Sequence, residues 1–157
     1  MNFNTLKPKA SLMATLLTLE ILESLLLAVA LGAIVGIERE YAHRPAGLRT
    51  HMLVCLGSCL FTIMSSSFGG QPAQVAGGIV AGIGFIGAGT IWAEKDKVKG
   101  ITTASSLWAT SAIGLTIGIG DFPLAISVTL IVFVILASRI LFRRLGIEKR
   151  ENQTSAD

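Results

Sequence analysis

The chain has 157 residues, 52% of them hydrophobic and 15% charged, with a mean hydropathy of +0.68. A soluble domain carries about 25% charged residues, so the composition points to one integral membrane domain. A net charge of +3 is too small to mark a nucleic-acid binder. No phosphate loop, nucleophile with a positioned base or zinc ligand set is visible, so neither an enzyme nor a bound cofactor is expected.

Residues 1–10 read as a polar tail, with Ser11 as the N-cap of a first helix that runs to about Ile37. Lys7 and Lys9 ahead of an apolar run resemble a signal peptide. Glu20 and Glu23 interrupt the run, however, and it ends in Gly36-Ile-Glu-Arg-Glu40 rather than a small-residue cleavage site, so a retained helix is expected. Four more helices follow: about Thr50–Phe68, Ala73–Ala93, Thr102–Ile119 and Pro123–Phe142. Gly69-Gly-Gln-Pro72, the charged loop Glu94–Gly100 and Gly120-Asp-Phe-Pro123 separate them. In lipid every backbone group must pair within its own segment, which favours helices even where β-branched residues are common. The expectation is an all-α fold of five transmembrane helices over residues 1–142, with a basic tail at 143–157.

Charge sets the orientation. Eleven of the thirteen Lys and Arg fall at 39–49, 95–99 and 139–150, which alternate segment ends would place on one side. The positive-inside rule then puts the N-terminus outside and the C-terminus inside. The polar knot Gly36–His51 is thereby a cytoplasmic hairpin turn.

Small residues predict the packing. Gly32/Gly36, Gly78/Gly82 and Gly114/Gly118 form GxxxG pairs on the first, third and fourth helices, where backbones can approach closely. Glycine is densest on the third helix, which is expected to be central; the fifth is expected at the periphery. Cys55 and Cys59 lie one turn apart and read as free buried thiols. The two hairpins also echo one another at an offset of 53 residues: Gly36 falls on Gly89, Gly47 on Gly100 and Thr50 on Thr103. This suggests a parallel repeat about an axis along the membrane normal.

The candidate site is a cytoplasmic vestibule built from Glu38, Arg39, Arg49, Thr50 and His51 on one side and Thr102, Thr103, Ser105 and Ser106 on the other. Glu38 or Glu40 is expected to pair with Arg49 across the turn, against the plainer reading of a solvated helix end. His51 titrates near neutrality when unperturbed, but a lone interfacial histidine is more often a polar anchor. Thr50 and Thr102 or Thr103 are candidate N-caps. The hydroxyls of the fourth helix, Thr110 and Ser111 included, either line a small hydrophilic cavity or bond to carbonyls one turn back or to a neighbouring helix. Glu20 and Glu23 share a face near the outer boundary and form a speculative site for a hard cation; headgroup-level solvation explains them equally well. Trp92 reads as an interfacial anchor and Trp108 as packing.

Gly32-Ala-Ile-Val-Gly-Ile-Glu-Arg-Glu40 and Ala46-Gly-Leu-Arg-Thr-His-Met-Leu-Val-Cys-Leu-Gly57 resemble the start of the MgtC/SapB family of bacterial membrane proteins. Gly82–Ile91 and Gly100–Gly114 are similar to its third and fourth helices, so the resemblance covers about Glu20 to Phe142. It implies a five-helix protein of the bacterial inner membrane, here a short form without a C-terminal cytoplasmic domain. It also implies a link to growth in low magnesium and to virulence or stress adaptation. The partners it implies are a membrane protein such as the ATP synthase or a transporter, or a homo-oligomer. A regulatory protein is the favoured reading. The alternative is a small magnesium or other cation transporter or channel, which the absence of any acid at mid-helix depth disfavours.

Overall fold

The computed structural model describes residues 7–65, 71–94 and 97–144. Five helices follow in order: α1 (Lys7–Tyr41), α2 (Leu48–Met64), α3 (Pro72–Ala88), α4 (Ile101–Gly118) and α5 (Phe122–Arg144). Between α3 and α4 lies one antiparallel hairpin of β1 (Trp92–Glu94) and β2 (Lys97–Lys99). The fold is otherwise all-α. Over Thr18–Tyr41 and Phe122–Arg139 the helices are long and apolar enough to cross a membrane; α2 and α3 are apolar but shorter.

The distribution of side chains is inverted relative to a water-soluble bundle. Arg39, His51, Thr110, Ser111 and Thr129 are buried, while Leu26, Leu53, Phe85, Leu130 and Val134 are exposed. An apolar exterior of this extent has no advantage in water, where such patches associate. Facing lipid it costs nothing, and the polar groups belong inside.

Glycine positions decide which helices touch. A β-carbon on Gly32 would stand 2.8 Å from the carbonyl oxygen of His51, and one on Gly36 would stand 2.7 Å from the α-carbon of Leu48. On another face of α2, a β-carbon on Gly114 would lie 2.3 Å from the Cys55 oxygen, and one on Gly118 would lie 2.5 Å from Thr62 Cβ. Helix α2 is therefore held between the GxxxG pairs of α1 and α4, and α4 packs against each of the other four helices. Between the helices Ala28, Val35, Cys55, Cys59, Ile113 and Ile117 make a closed apolar core. Both cysteines are free thiols within it.

The expectation of a central third helix is corrected. Nothing lies within 4 Å of a β-carbon built on Gly77, Gly78, Gly82 or Gly84. Helix α3 meets the bundle mainly along α4, through Gly87 against Ala104 and Ile83 beside Leu107. Glycine density marked a helix with room beside it rather than a helix at the centre. Helix α5 lies across α1 and α4, burying Ala125 and Thr129.

Boundaries shift for local reasons. Ser11 sits inside α1, which begins by Lys7. The third helix stops at Ala88, not Ala93, because Gly89 ends it and Trp92–Glu94 turns into strand. The expected charged loop is thus partly a hairpin, and its Lys95 and Asp96 lie outside the described residues. Asp121 caps α5, its Oδ1 accepting from the Leu124 N–H at 3.1 Å. The expected tail 143–157 is described only to Arg144, the last residue of α5.

A candidate buried polar site at the basic end

The antiparallel order brings the end of α1, the starts of α2 and α4 and the end of α3 to one end of the bundle. The chain leaves α1 through a tight turn in which His43 takes φ 52° and its Nδ1 donates to the Tyr41 carbonyl at 3.0 Å. Glu40 then reaches across the turn. Its Oε2 accepts from the Leu48 N–H at 3.0 Å, satisfying one of the free donors that open α2. The residues preceding α2 and α4 are Gly47 and Gly100, neither with a side chain to offer. Thr50, Thr102 and Thr103 therefore lie within the first helical turns and are not the N-caps expected of them. Gly100 is required as glycine: its φ is 92°, and a β-carbon there would overlap the Thr90 oxygen.

Glu38 and Arg39 are both buried and pair with each other, Glu38 Oε2 accepting from the Arg39 guanidinium. The expected partner, Arg49, is exposed instead. The expectation failed because the pairing is between chain neighbours at the end of α1, while Glu40 is engaged by backbone. A charge buried this way is tolerable only when paired, since leaving one partner alone costs about 3–5 kcal/mol.

His51 is fully buried beside this pair and bridges two helices. Its Nδ1 lies 2.9 Å from the Gly47 carbonyl, and its Nε2 lies 3.1 Å from Ser106 Oγ. A carbonyl only accepts, so Nδ1 carries the hydrogen. In the neutral ring Nε2 then accepts from the Ser106 hydroxyl, which also lies 2.8 Å from the Thr103 carbonyl. One hydroxyl proton thus has two acceptors, and the ring locks the start of α2 to α4.

The rest of the polar stripe on α4 divides by face. Thr103, Ser106, Thr110 and Ser111 are buried, whereas Thr102 and Ser105 are exposed. Ser105 and Thr110 bond to carbonyls one turn back, at 3.0 and 2.8 Å. The structure therefore brings together Glu38, Arg39, His51, Thr103 and Ser106, but leaves Arg49, Thr102 and Ser105 outside. Trp108, expected in packing, is about half exposed.

Ser111 of the polar stripe bonds to a neighbouring helix, and sequence reasoning missed its partner Ser58, the two hydroxyls meeting at 3.0 Å between α2 and α4. A signal for them existed, since they are 53 residues apart, the offset of the internal echo. Among the described residues no three His, Cys, Asp or Glu side chains converge as a metal site would require. Glu20 and Glu23 are exposed at the opposite end, Glu23 beside a shallow groove formed with Leu19, Leu22 and Leu26.

The MgtC family model matches residues 25–145. "Protein MgtC" of Salmonella typhimurium is 42% identical over 131 residues, 83% of this chain and 54% of that protein. "Protein MgtC" of Brucella abortus is 43% identical over 116 residues, 73% of this chain and 48% of that protein. The chain thus spans about half the length of these curated relatives. No solved structure matches it.

Proposed function

Because the chain belongs to the MgtC family, we propose that it is a non-enzymatic regulatory protein of the bacterial inner membrane, acting by contact with other membrane proteins during adaptation to low magnesium or ionic stress. In this reading all five helices span the bilayer, with the N-terminus outside and the end that carries Arg44, Arg49, Lys97 and Lys99 inside. The two hairpins are a parallel repeat. The Ser58–Ser111 bond supports this, because residues near a two-fold axis meet their own counterparts.

The observation that carries the regulatory reading is the closure of the interior. The polar cluster sits at one end and uses its groups on one another. Beyond it, Gly32, Cys55 and Gly114 bring the backbones of α1, α2 and α4 together at core-like distances. Ion pathways are lined by rings of carbonyls or charged side chains, and α2 is gripped where such a lining would have to run. Crosslinking in native membranes, followed by identification of the attached proteins, tests the reading. A membrane protein captured reproducibly under magnesium limitation supports it, and a chain that captures none while carrying magnesium in vesicles favours the transporter reading.

A further inference from the structure

Two of the three GxxxG pairs in this chain receive a helix. Gly32/Gly36 on α1 and Gly114/Gly118 on α4 both press against α2 and leave no room for a β-carbon. The third pair, Gly78/Gly82 on α3, has nothing within 4 Å among the described residues. It lines a lateral groove of about 670 Å³ between α2 and α3. Val54, Gly57 and Phe61 line the same groove from α2, and Ile79, Ile83 and Ile86 line it from α3. The groove is open because α3 meets the bundle mainly along α4 and touches α2 little.

The same side of α3 carries a second unpartnered feature. Phe85 stands seven residues after Gly78 and three after Gly82, a spacing that puts all three on one helix face. Its side chain is 85% exposed, more than any other large apolar side chain among the described residues. A ring beside two glycines is a knob next to a hole. Helices approach closely at GxxxG pairs and are held there by packing and weak hydrogen bonds. An acyl chain has no backbone to bring close, so a helix is the occupant that such a pair selects.

We propose that this face is a homodimer interface, in which two copies related by an axis along the membrane normal pack α3 against α3 at Gly78 and Gly82, with Phe85 of each filling the groove of the other. Neither Pro72–Ala88 nor the groove lining holds a charged residue, so the two faces match without a counter-charge. At the basic end Lys97 stands opposite Glu94 and Lys99 is engaged within its own chain, so the hairpins do not oppose the approach. Groove against groove is an isologous contact, which closes at two copies. Helix α5 of a second copy fits less well. It has no glycine between Pro123 and Phe142, and α5 against groove is a heterologous contact that runs on to rings or open chains. The inference rests on α3 lying in the bilayer, which carbonate extraction of the membranes checks separately. It does not depend on the regulatory reading.

Purified protein in mild detergent, followed by light scattering over a dilution series and by native mass spectrometry, tests the proposal. A two-chain species that dissociates on dilution is expected. Gly82→Leu should shift it to single chains. Phe85→Ala should do the same, and it removes a side chain that the fold of one copy does not bury. The micelle excess of an unfolding titration separates the copies, so the stability of one chain is read apart from this contact. In native membranes an oxidant should join Gly78→Cys to its own counterpart across the axis, and should not join Leu130→Cys, which lies exposed on α5. The buried Cys55 and Cys59 stay silent in both. A single chain at every concentration would overturn the proposal. So would a pair that both Gly82→Leu and Phe85→Ala leave intact, a pair joined through position 130, or crosslinking of position 78 to another protein in place of a second copy.

Discussion

Alanine at Gly114 and alanine at Gly82 should have opposite consequences, although both glycines belong to GxxxG pairs. At Gly114 the new β-carbon would lie 2.3 Å from the Cys55 carbonyl oxygen and 2.8 Å from Ser58 Cβ. Relief requires α2 and α4 to part by about 1 Å, and overpacking of this kind costs about 1–3 kcal/mol. The Ser58–Ser111 hydrogen bond, now 3.0 Å, would stretch beyond bonding range and add about 0.5–1.5 kcal/mol. Helix propensity returns about 1 kcal/mol when glycine becomes alanine, which leaves a net loss of about 2 kcal/mol, or about thirtyfold in the unfolding equilibrium. At Gly82 no atom stands in the way, so only the propensity gain operates. Reversible unfolding in mixed micelles against rising SDS, read by tryptophan fluorescence, measures both. Gly114→Ala should unfold at clearly lower SDS than the unaltered protein, and Gly82→Ala at the same level or higher. A Gly114→Ala protein as stable as the parent, or a Gly82→Ala protein that loses more, would refute the placement of α2 between α1 and α4.

Three further outcomes concern the basic end of the bundle. Glu38→Gln or Arg39→Met alone should cost about 3–5 kcal/mol because each strands a buried charge; the double variant should cost less than the two together, and strict additivity in the same unfolding assay would argue against the pair. His51→Ala removes a side chain bonded to both Gly47 and Ser106 and should lose about 2–4 kcal/mol. Ser106→Ala should lose about 1 kcal/mol, and little of that should remain in a His51→Ala background if the two act together. His43 holds φ 52°, a conformation that costs other L-residues about 1–2 kcal/mol and glycine little. His43→Gly should therefore be neutral or stabilising by melting temperature, and a marked loss would mean that the Nδ1 bond to Tyr41 outweighs the backbone strain.

Much of the helix order was legible because each turn carried its own chemistry. Gly47, Gly100, and Gly120 followed by Asp121 stand where helices begin or end, and five apolar runs lie between such breaks. The hairpin at Trp92–Lys99 was not legible, since a three-residue strand leaves no periodicity to read. The site was legible by composition but not by pairing. Glu38, Arg39, His51, Thr103 and Ser106 were named, yet the ion pair was assigned to Arg49 because sequence spacing across a turn cannot distinguish an inward arginine from an outward one. Glycine misled for a physical reason. A GxxxG pair permits close approach but does not supply the partner, so Gly114 and Gly78 look identical until their neighbours are placed. The 53-residue echo carried more than it first offered, because it relates Ser58 to Ser111, the two hydroxyls that meet between α2 and α4.

We propose that this bundle regulates by contact and does not conduct. Purified protein reconstituted into vesicles loaded with a magnesium-sensitive dye tests it most directly. Magnesium entry should be no faster than in protein-free vesicles, with or without a membrane potential. Entry that saturates with magnesium, and that falls when His51 or Ser106 is replaced in a protein that still folds, would contradict it.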